Sequence, residues 1–448
     1  MKTYIPFVLF FSLSLTTKAQ SPYSLDQCVE YALKNNITIK NSLIDTRIAD
    51  SRKQELRSRS LPQLDANSQA IHNFDVQKIV FENDVIPLFS NPLLPKGQVI
   101  AFQLQLNNVW TSQLTASQVI FDKSLFTGIA NAEIVKSLSR KNTEQTEIDV
   151  AEMVTKAYYG VLVAQKQLDF LDNNLLRVDS LFKDTQARFN NGLVRKIVVD
   201  RIEVRLNNLK EEREKTLRLV ELNRALLRYQ MNMPAEENLQ LSDSFDETVL
   251  PRVVEREDVD YTQRIEYGIL KNQQQLYEAE TQVLKDGYYP RLNALAATGY
   301  NPASTHAEDI FQSNRYYNFT YVGLNLSIPI FHGFEKKYKV QTRTLEDLKI
   351  TNSMQNLRHS IDLQVQQANI NLFNSIASLK IQKRNLELAQ ENVRIIQVEN
   401  EKGIASSLEV VNAEADLKEA QTNYYTTLYS ALLAKTDLEK ANGTLLKK

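Results

Sequence analysis

From Phe334 to Lys402 the chain runs 69 residues without a glycine or a proline. At 1.5 Å of rise per residue an uninterrupted helix of that length reaches roughly 100 Å, beyond the diameter of an ordinary globular domain. The first half carries a similar stretch. No proline occurs between Pro95 and Pro234, and a helical pattern runs from about Ser124 to Asn190 before Gly192 stops it. Two rods of this kind belong to a molecule that spans distance.

The rods share one design. Setting Gly192 against Gly403, an offset of 211 residues, superposes Ala157 on Ala368, Leu168 on Leu379, Leu175 on Leu386, Glu203 on Glu414, Leu206 on Leu417 and Leu222 on Leu433 without a gap. Upstream, Leu61-Pro62-Gln63-Leu64 faces Tyr289-Pro290-Arg291-Leu292, and Ile120-Phe121-Asp122 faces Ile330-Phe331-His332. The first copy holds 18 extra residues between these landmarks.

The helical face is legible in the second rod. Leu357, Ile361, Val365, Ala368, Leu372, Ile376, Leu379, Leu386, Ala389, Val393 and Ile396 recur every three or four residues, interrupted only by Lys383. The mean period, about 3.5, is that of a coiled-coil seam. After Gly192 the pattern resumes through Val199, Ile202 and Leu206 to Met231; after Gly403 it resumes through Leu408 and Val411 to Asn442. Each half is therefore expected to be a helical hairpin that turns at its glycine. Shorter helices are expected over Leu25 to Arg59 and roughly Val259 to Lys285.

Between the helices the pattern switches to period two. Leu64, Ala66, Ser68 and Ala70 alternate with polar residues, as do Trp110, Ser112, Leu114 and Ala116. The second half repeats this with Leu292, Ala294, Ala296, Thr298 and Tyr300, then with Val322, Leu324, Leu326 and Ile328 before Pro329. Four strands of about ten residues suit either a half-buried soluble sheet or tilted transmembrane strands. Aromatics near the strand ends, among them Trp110, Tyr288, Tyr289, Tyr316, Tyr317 and Tyr321, favour the membrane interface. An open four-stranded sheet leaves unpaired backbone groups at its edges, so in lipid several chains must share one barrel.

The N-terminus points the same way. Lys2, the apolar stretch from Tyr4 to Leu15 and the small residues around Ala19 form an export signal over residues 1–19. Gln20 rather than cysteine follows the cut, and the single cysteine, Cys28, has no intrachain partner. No later stretch is long and apolar enough for a transmembrane helix. The net charge of −1 is spread over interleaved acids and bases, which argues against a nucleic-acid footprint; a solvated helix face accounts for Arg52, Lys53, Arg57 and Arg59. The four histidines are isolated in sequence, and Met231 and Met233 suit packing at a helix end better than ligation, so neither metal nor cofactor is expected. No phosphate-loop or nucleophile signature suggests an enzyme.

Taken together, several short motifs make the chain resemble the TolC-like outer-membrane efflux proteins over essentially its whole mature length. These are Ser24-Leu25-Asp26-Gln27-Cys28-Val29-Glu30 before Asn35 and Asn36, the two proline-bearing helix-to-strand junctions, Ser327-Ile328-Pro329-Ile330-Phe331, and the turns Asn191-Gly192-Leu193-Val194 and Lys402-Gly403-Ile404-Ala405. The resemblance implies a mainly α protein with membrane β-structure, internally duplicated, in which four strands per chain build a trimeric twelve-stranded outer-membrane barrel continuous with a periplasmic barrel of twelve helices. Residues 20–231 would form the first repeat, 232–258 a linker or equatorial segment, and 259–448 the second repeat. The implied function is passive conduction. An inner-membrane transporter would deliver cargo through a periplasmic adaptor, in efflux or in type I secretion, to a homotrimer held in outer-membrane lipid.

In that family, acidic residues shortly after the second glycine turn narrow the entrance; the matching positions are Glu409 and Asn412, of which the second departs from the pattern. The first-copy counterpart, Val198, is apolar. Glu409 has a second reading, as the partner of Ser406 in a Ser-x-x-Glu capping box. Gly192, Leu193, Val194, Gly403, Ile404 and Ala405 resemble the tips that meet the adaptor, although a simple helix turn accounts for them equally. A soluble periplasmic scaffold that binds partners through its hairpins is the alternative to a conduit. The cargo is not written in the sequence.

Overall fold

A computed structural model describes residues 22–83, 91–103, 105–243, 259–311 and 317–446, with the single positions 245, 247 and 250. The expected export signal, Tyr316 and much of the segment 232–258 lie outside the described residues. The chain divides into two compact units. One comprises the chain up to Ile44 with Lys141–Gly268 and Gln355–Lys448; the other comprises Asp45–Arg140 and Ile269–Met354.

The second of these units holds the sheet. Strands β1 (Gln63–His72), β4 (Asn108–Asp122), β5 (Arg291–Tyr300) and β7 (Asn318–Ser327) lie in the order β1-β4-β5-β7, every pair antiparallel. The alternating residues meet across the strands. Leu64 opposes Ala116, Ala116 opposes Ala296 and Ala296 opposes Val322, making one apolar row across all four. A bulge between Val119 and Phe121 shifts the register, bringing Phe121 opposite Leu292. Val322, at 82 % exposure, and Leu324 stand uncovered on β7, and among the described residues β1 and β7 each have a strand neighbour on one side only.

Two features of this unit were not anticipated. The 18 extra residues fall in a stretch that forms a separate antiparallel ribbon, β2 (Lys78–Glu82) with β3 (Val99–Gln103), and β6 (Ala303–Ser304) pairs with the start of β4. At the helix-to-strand junction, Thr127 Oγ1 donates to Asp286 at 2.5 Å, Gln282 Nε2 donates at 2.8 Å and Lys123 Nζ lies 3.2 Å away. The Thr127 hydrogen bond, with Lys123 behind it, holds the Asp286 carboxyl below the usual carboxylate range. Buried acids need such partners, and these tie the ends of two helices at the point where strands begin.

The long helices match the expected lengths. Helix α3 spans Lys123–Asn190 with 68 residues and α6 spans Glu335–Glu401 with 67; α4 (Lys196–Met231) and α7 (Ser407–Asn442) each have 36. Ile361, Val365, Ala368, Leu372, Leu379, Ala389 and Val393 are buried, which is the predicted seam. Lys383, the interruption, is exposed and pairs with Glu247.

The other helical expectations need correction. Leu25 to Arg59 is not one helix but α1 (Leu25–Asn35) and α2 (Ile37–Ser58). Asn36 leaves helical geometry at ψ 133°, and its side chain takes over the lost work: Oδ1 accepts from Thr38 N at 2.8 Å and Nδ2 donates to Gln230 O at 2.7 Å. Likewise α5 begins at Ile265, not Val259, and ends at Asp286; a 3₁₀ turn over Tyr261–Gln263 precedes it, with Asp260 as its cap. The described residues that follow α4 pack against it. Met233, Leu239 and Phe245 join a core with Cys28, Tyr158, Leu227, Met231, Leu428 and Leu432. Burial, with Asp243 nearby, pushes the Cys28 thiol up to about 12, so it stays protonated there.

Candidate functional site

The two hairpin tips have the same backbone and different side-chain chemistry. Leu193 N donates to Arg188 O at 2.8 Å and Ile404 N donates to Glu399 O at 2.8 Å, each a bond that closes a helix end around a left-handed residue. That residue is Gly192, at φ +73°, and Gly403, at φ +75°. A Cβ at either position would meet no atom within 4 Å, so the dihedral alone calls for glycine. Leu193 and Ile404 are 72 % and 74 % exposed, while Val194 and Ala405 are half-buried. An apolar side chain raised into solvent at each tip has no role in packing the hairpin itself.

The chain leaves the tips differently. Ser406 caps α7: Glu409 N donates to Ser406 Oγ at 3.3 Å, and Ser406 N donates back to Glu409 Oε2 at 2.6 Å. Asn400 Nδ2 adds a bond to Ala405 O at 2.8 Å. The equivalent residue before α4 is Arg195, which makes no side-chain cap, and Val198 packs into the apolar seam with Leu206 and Leu209. Glu409 is exposed, with its carboxylate engaged in the cap, and Asn412 is exposed one turn further on. The pair share a helix face.

Sequence reasoning missed the buried charge behind the tips. Glu414 is 1 % exposed; Arg177 Nε donates to its Oε1 at 2.6 Å and Gln397 Nε2 donates to the same oxygen at 3.0 Å. Its repeat partner Glu203 is exposed. Asn174, one turn from Arg177, is buried with neither amide atom hydrogen-bonded among the described residues. The matched glutamates were visible in sequence, but nothing local marks one as buried, because the arginine that pairs with it comes from another helix.

An open antiparallel sheet with exposed apolar strands, joined to paired helical hairpins, is the protomer architecture of outer-membrane efflux channels. The C. jejuni CmeC outer membrane channel has this fold, with a TM-score of 0.70 at 15% sequence identity over 99% of this chain and 94% of that one. Residues 270–444 match the outer membrane efflux protein family. The chain is 21% identical to outer membrane protein TolC of Salmonella enteritidis over 99% of its own length and 87% of that protein. It is 24% identical to the alkaline protease secretion protein AprF of Pseudomonas aeruginosa over 74% of its length and 71% of that protein. The chain is thus similar to the outer membrane efflux proteins over residues 270–444, and to relatives that are named outer membrane proteins along nearly its whole length. These relatives are channel and secretion components rather than enzymes, and the soluble-scaffold alternative has no support among them.

Proposed function

We infer that three copies of this chain form a passive exit duct, which receives cargo from an inner-membrane transporter through a periplasmic adaptor. The observation that carries this reading is the strand order β1-β4-β5-β7, with β1 and β7 unpaired on their outer sides among the described residues. In a bilayer each bare backbone group costs several kcal/mol, so β7 of one copy must pair with β1 of the next. Three copies close a barrel of twelve strands, and their four long helices each supply a wall of twelve. Residues 20–231 and 259–448 act as the two repeats, with 232–258 between them. Such a duct makes and breaks no bond.

The tips carry the partner contacts in this reading. Leu193 and Ile404 offer apolar knobs, presented by Gly192, Val194, Gly403 and Ala405, on which an adaptor can seat. Glu409 and Asn412 face the entrance, where each copy contributes one carboxylate rather than two. Efflux and type I secretion both remain within this function, since the matched family is named for efflux and AprF for alkaline protease secretion.

Protein extracted from outer membranes in detergent should have the native mass of three chains and conduct single-channel current in planar bilayers. A monomer that stays soluble without detergent and is electrically silent would overturn the reading. Glu409→Gln keeps the capping box, since glutamine serves at that position, and should lower cation preference without loosening α7. Unchanged ion selectivity would remove Glu409 from the pore.

A further inference from the structure

The seam between α3 and α7 inside one chain has an ionic edge at its end remote from the tips, beside the apolar cluster that holds Tyr158, Tyr159, Leu428 and Leu432. Lys440 on α7 reaches Glu152 at 2.5 Å and Asp149 at 2.8 Å, and Lys156 on α3 reaches Asp437 at 2.7 Å. Helices α6 and α4 are the repeat equivalents of α3 and α7, displaced by the same 211 residues, and α4 and α7 share identical lengths and matching ends. The displacement carries Glu152 onto Leu363, Asp437 onto Leu226 and Lys440 onto Tyr229. These three are large apolar or aromatic residues standing in water: Leu363 is 64 % exposed, Leu226 46 % and Tyr229 77 %, while Asp149 and Lys156 map onto the polar Ser360 and Gln367.

We propose that Leu226 and Tyr229 on α4 of one copy dock against Leu363 on α6 of the next, forming an apolar replica of the ion-paired α3–α7 seam. The proposal rests on the trimeric reading and adds the residues and chemistry of the contact. Repetition of one unit supplies its geometry, because in a closed ring of alternating repeats the same helix-to-helix contact recurs within and between chains. The change of chemistry has a physical cause. Inside a chain the two hairpins are already tethered, so part of their seam can be polar. Separate copies must overcome lost translational and rotational freedom, which apolar burial drives and partly exposed ion pairs do not.

Towards the tips only the α6 side stays apolar, because Glu414 and Tyr425 map onto the exposed Glu203 and Glu214 on α4. Arg177 and Phe170 on α3, which meet Glu414 and Tyr425 on α7, map onto Leu388 and Ile381 on α6, both exposed. The buried ion pair thus keeps its glutamate, as Glu203 on α4, but has Leu388 in place of its arginine.

The test uses full-length protein in its own outer membranes. Tyr229→Cys with Leu363→Cys should yield disulfide-linked dimers and trimers on non-reducing gels, absent from either single variant; Cys28 is buried and serves as an internal silent thiol. In detergent, Tyr229→Lys and Leu363→Glu should each lower the trimer-to-monomer ratio roughly tenfold, and the double variant, which rebuilds the ion pair of the other seam, should recover most of it. A native mass of three copies with neither crosslink nor recovery would overturn this contact and leave the trimer standing. A wild-type monomer would overturn both. Where a charged variant fails to fold, the cysteine pair decides alone.

Discussion

The two hairpins are the same object twice in length and backbone, and two different objects in what they bury. Leu206 on α4 and Leu417 on α7 occupy matched positions and are almost equally buried, as are Ala157 and Ala368 on the long helices. Yet Glu414 is enclosed with Arg177 while Glu203 is exposed, and Ser406 caps α7 while Arg195 leaves α4 uncapped. Matched hairpin seams keep each coil together; unmatched outer faces decide what each coil packs against. A repeated unit can diverge only on faces whose partners differ.

The largest test of this contrast is to break it at the buried pair. Arg177→Ala leaves the Glu414 carboxylate enclosed without its charge partner and should cost about 3–5 kcal/mol, whereas Leu388→Ala at the matched position should cost the helical fold far less. Thermal unfolding followed by circular dichroism would compare the two, and equal losses would erase the distinction. Arg177→Met with Glu414→Met should return stability to near the starting value, since a well-packed apolar pair can replace a buried ionic one.

A smaller effect is expected at the tips. Ser406→Ala should destabilise the start of α7 by about 1 kcal/mol through loss of the cap. Arg195→Ser with Val198→Glu would install at α4 the box that α7 already has, at the expense of the apolar contact of Val198. Amide hydrogen exchange in the first turns of α4 and α7 would read both changes, and indifference to either would remove capping from the comparison.

The smallest effect concerns acid. Burial opposes the charge on Glu152, but hydrogen bonds from Lys156 and Lys440 outweigh it and hold the carboxyl below its usual range. Burial would likewise lower Lys440, yet its bonds to Asp149 and Glu152 raise it. The depressed glutamate contributes stability above the ordinary carboxylate range and loses it as the pH falls below about 4. Exchange along α3 and α7 near these residues should therefore increase in acid, while the α4 and α6 faces carrying Tyr229 and Leu363 should respond little. A uniform response would contradict the difference in chemistry.

Much of the molecule was legible because periodicity is a local property. The seam from Ile361 to Val393, the glycine turns and the alternating faces of the four strands all follow from spacing, and the register matches those faces row by row. The break at Asn36 was not legible, since its amide bonds to Gln230, almost two hundred residues away in sequence. The β2–β3 ribbon was not legible because it lies in the stretch that holds the insertion, where the second repeat offers no counterpart to mark it. For the entrance, the Ser406 and Glu409 spacing announced a capping box, and the bonds are there.

The sequence by itself determined the rods, their turns, the strand alternation and the repeat, because each depends on residues close along the chain and on φ values that only glycine takes without strain. Tertiary structure decided the strand order, the burial of Glu414 and the faces of α4 and α6 left without a cover. Those outcomes depend on which distant surfaces meet, and two copies of one pattern can be distinguished only by their neighbours.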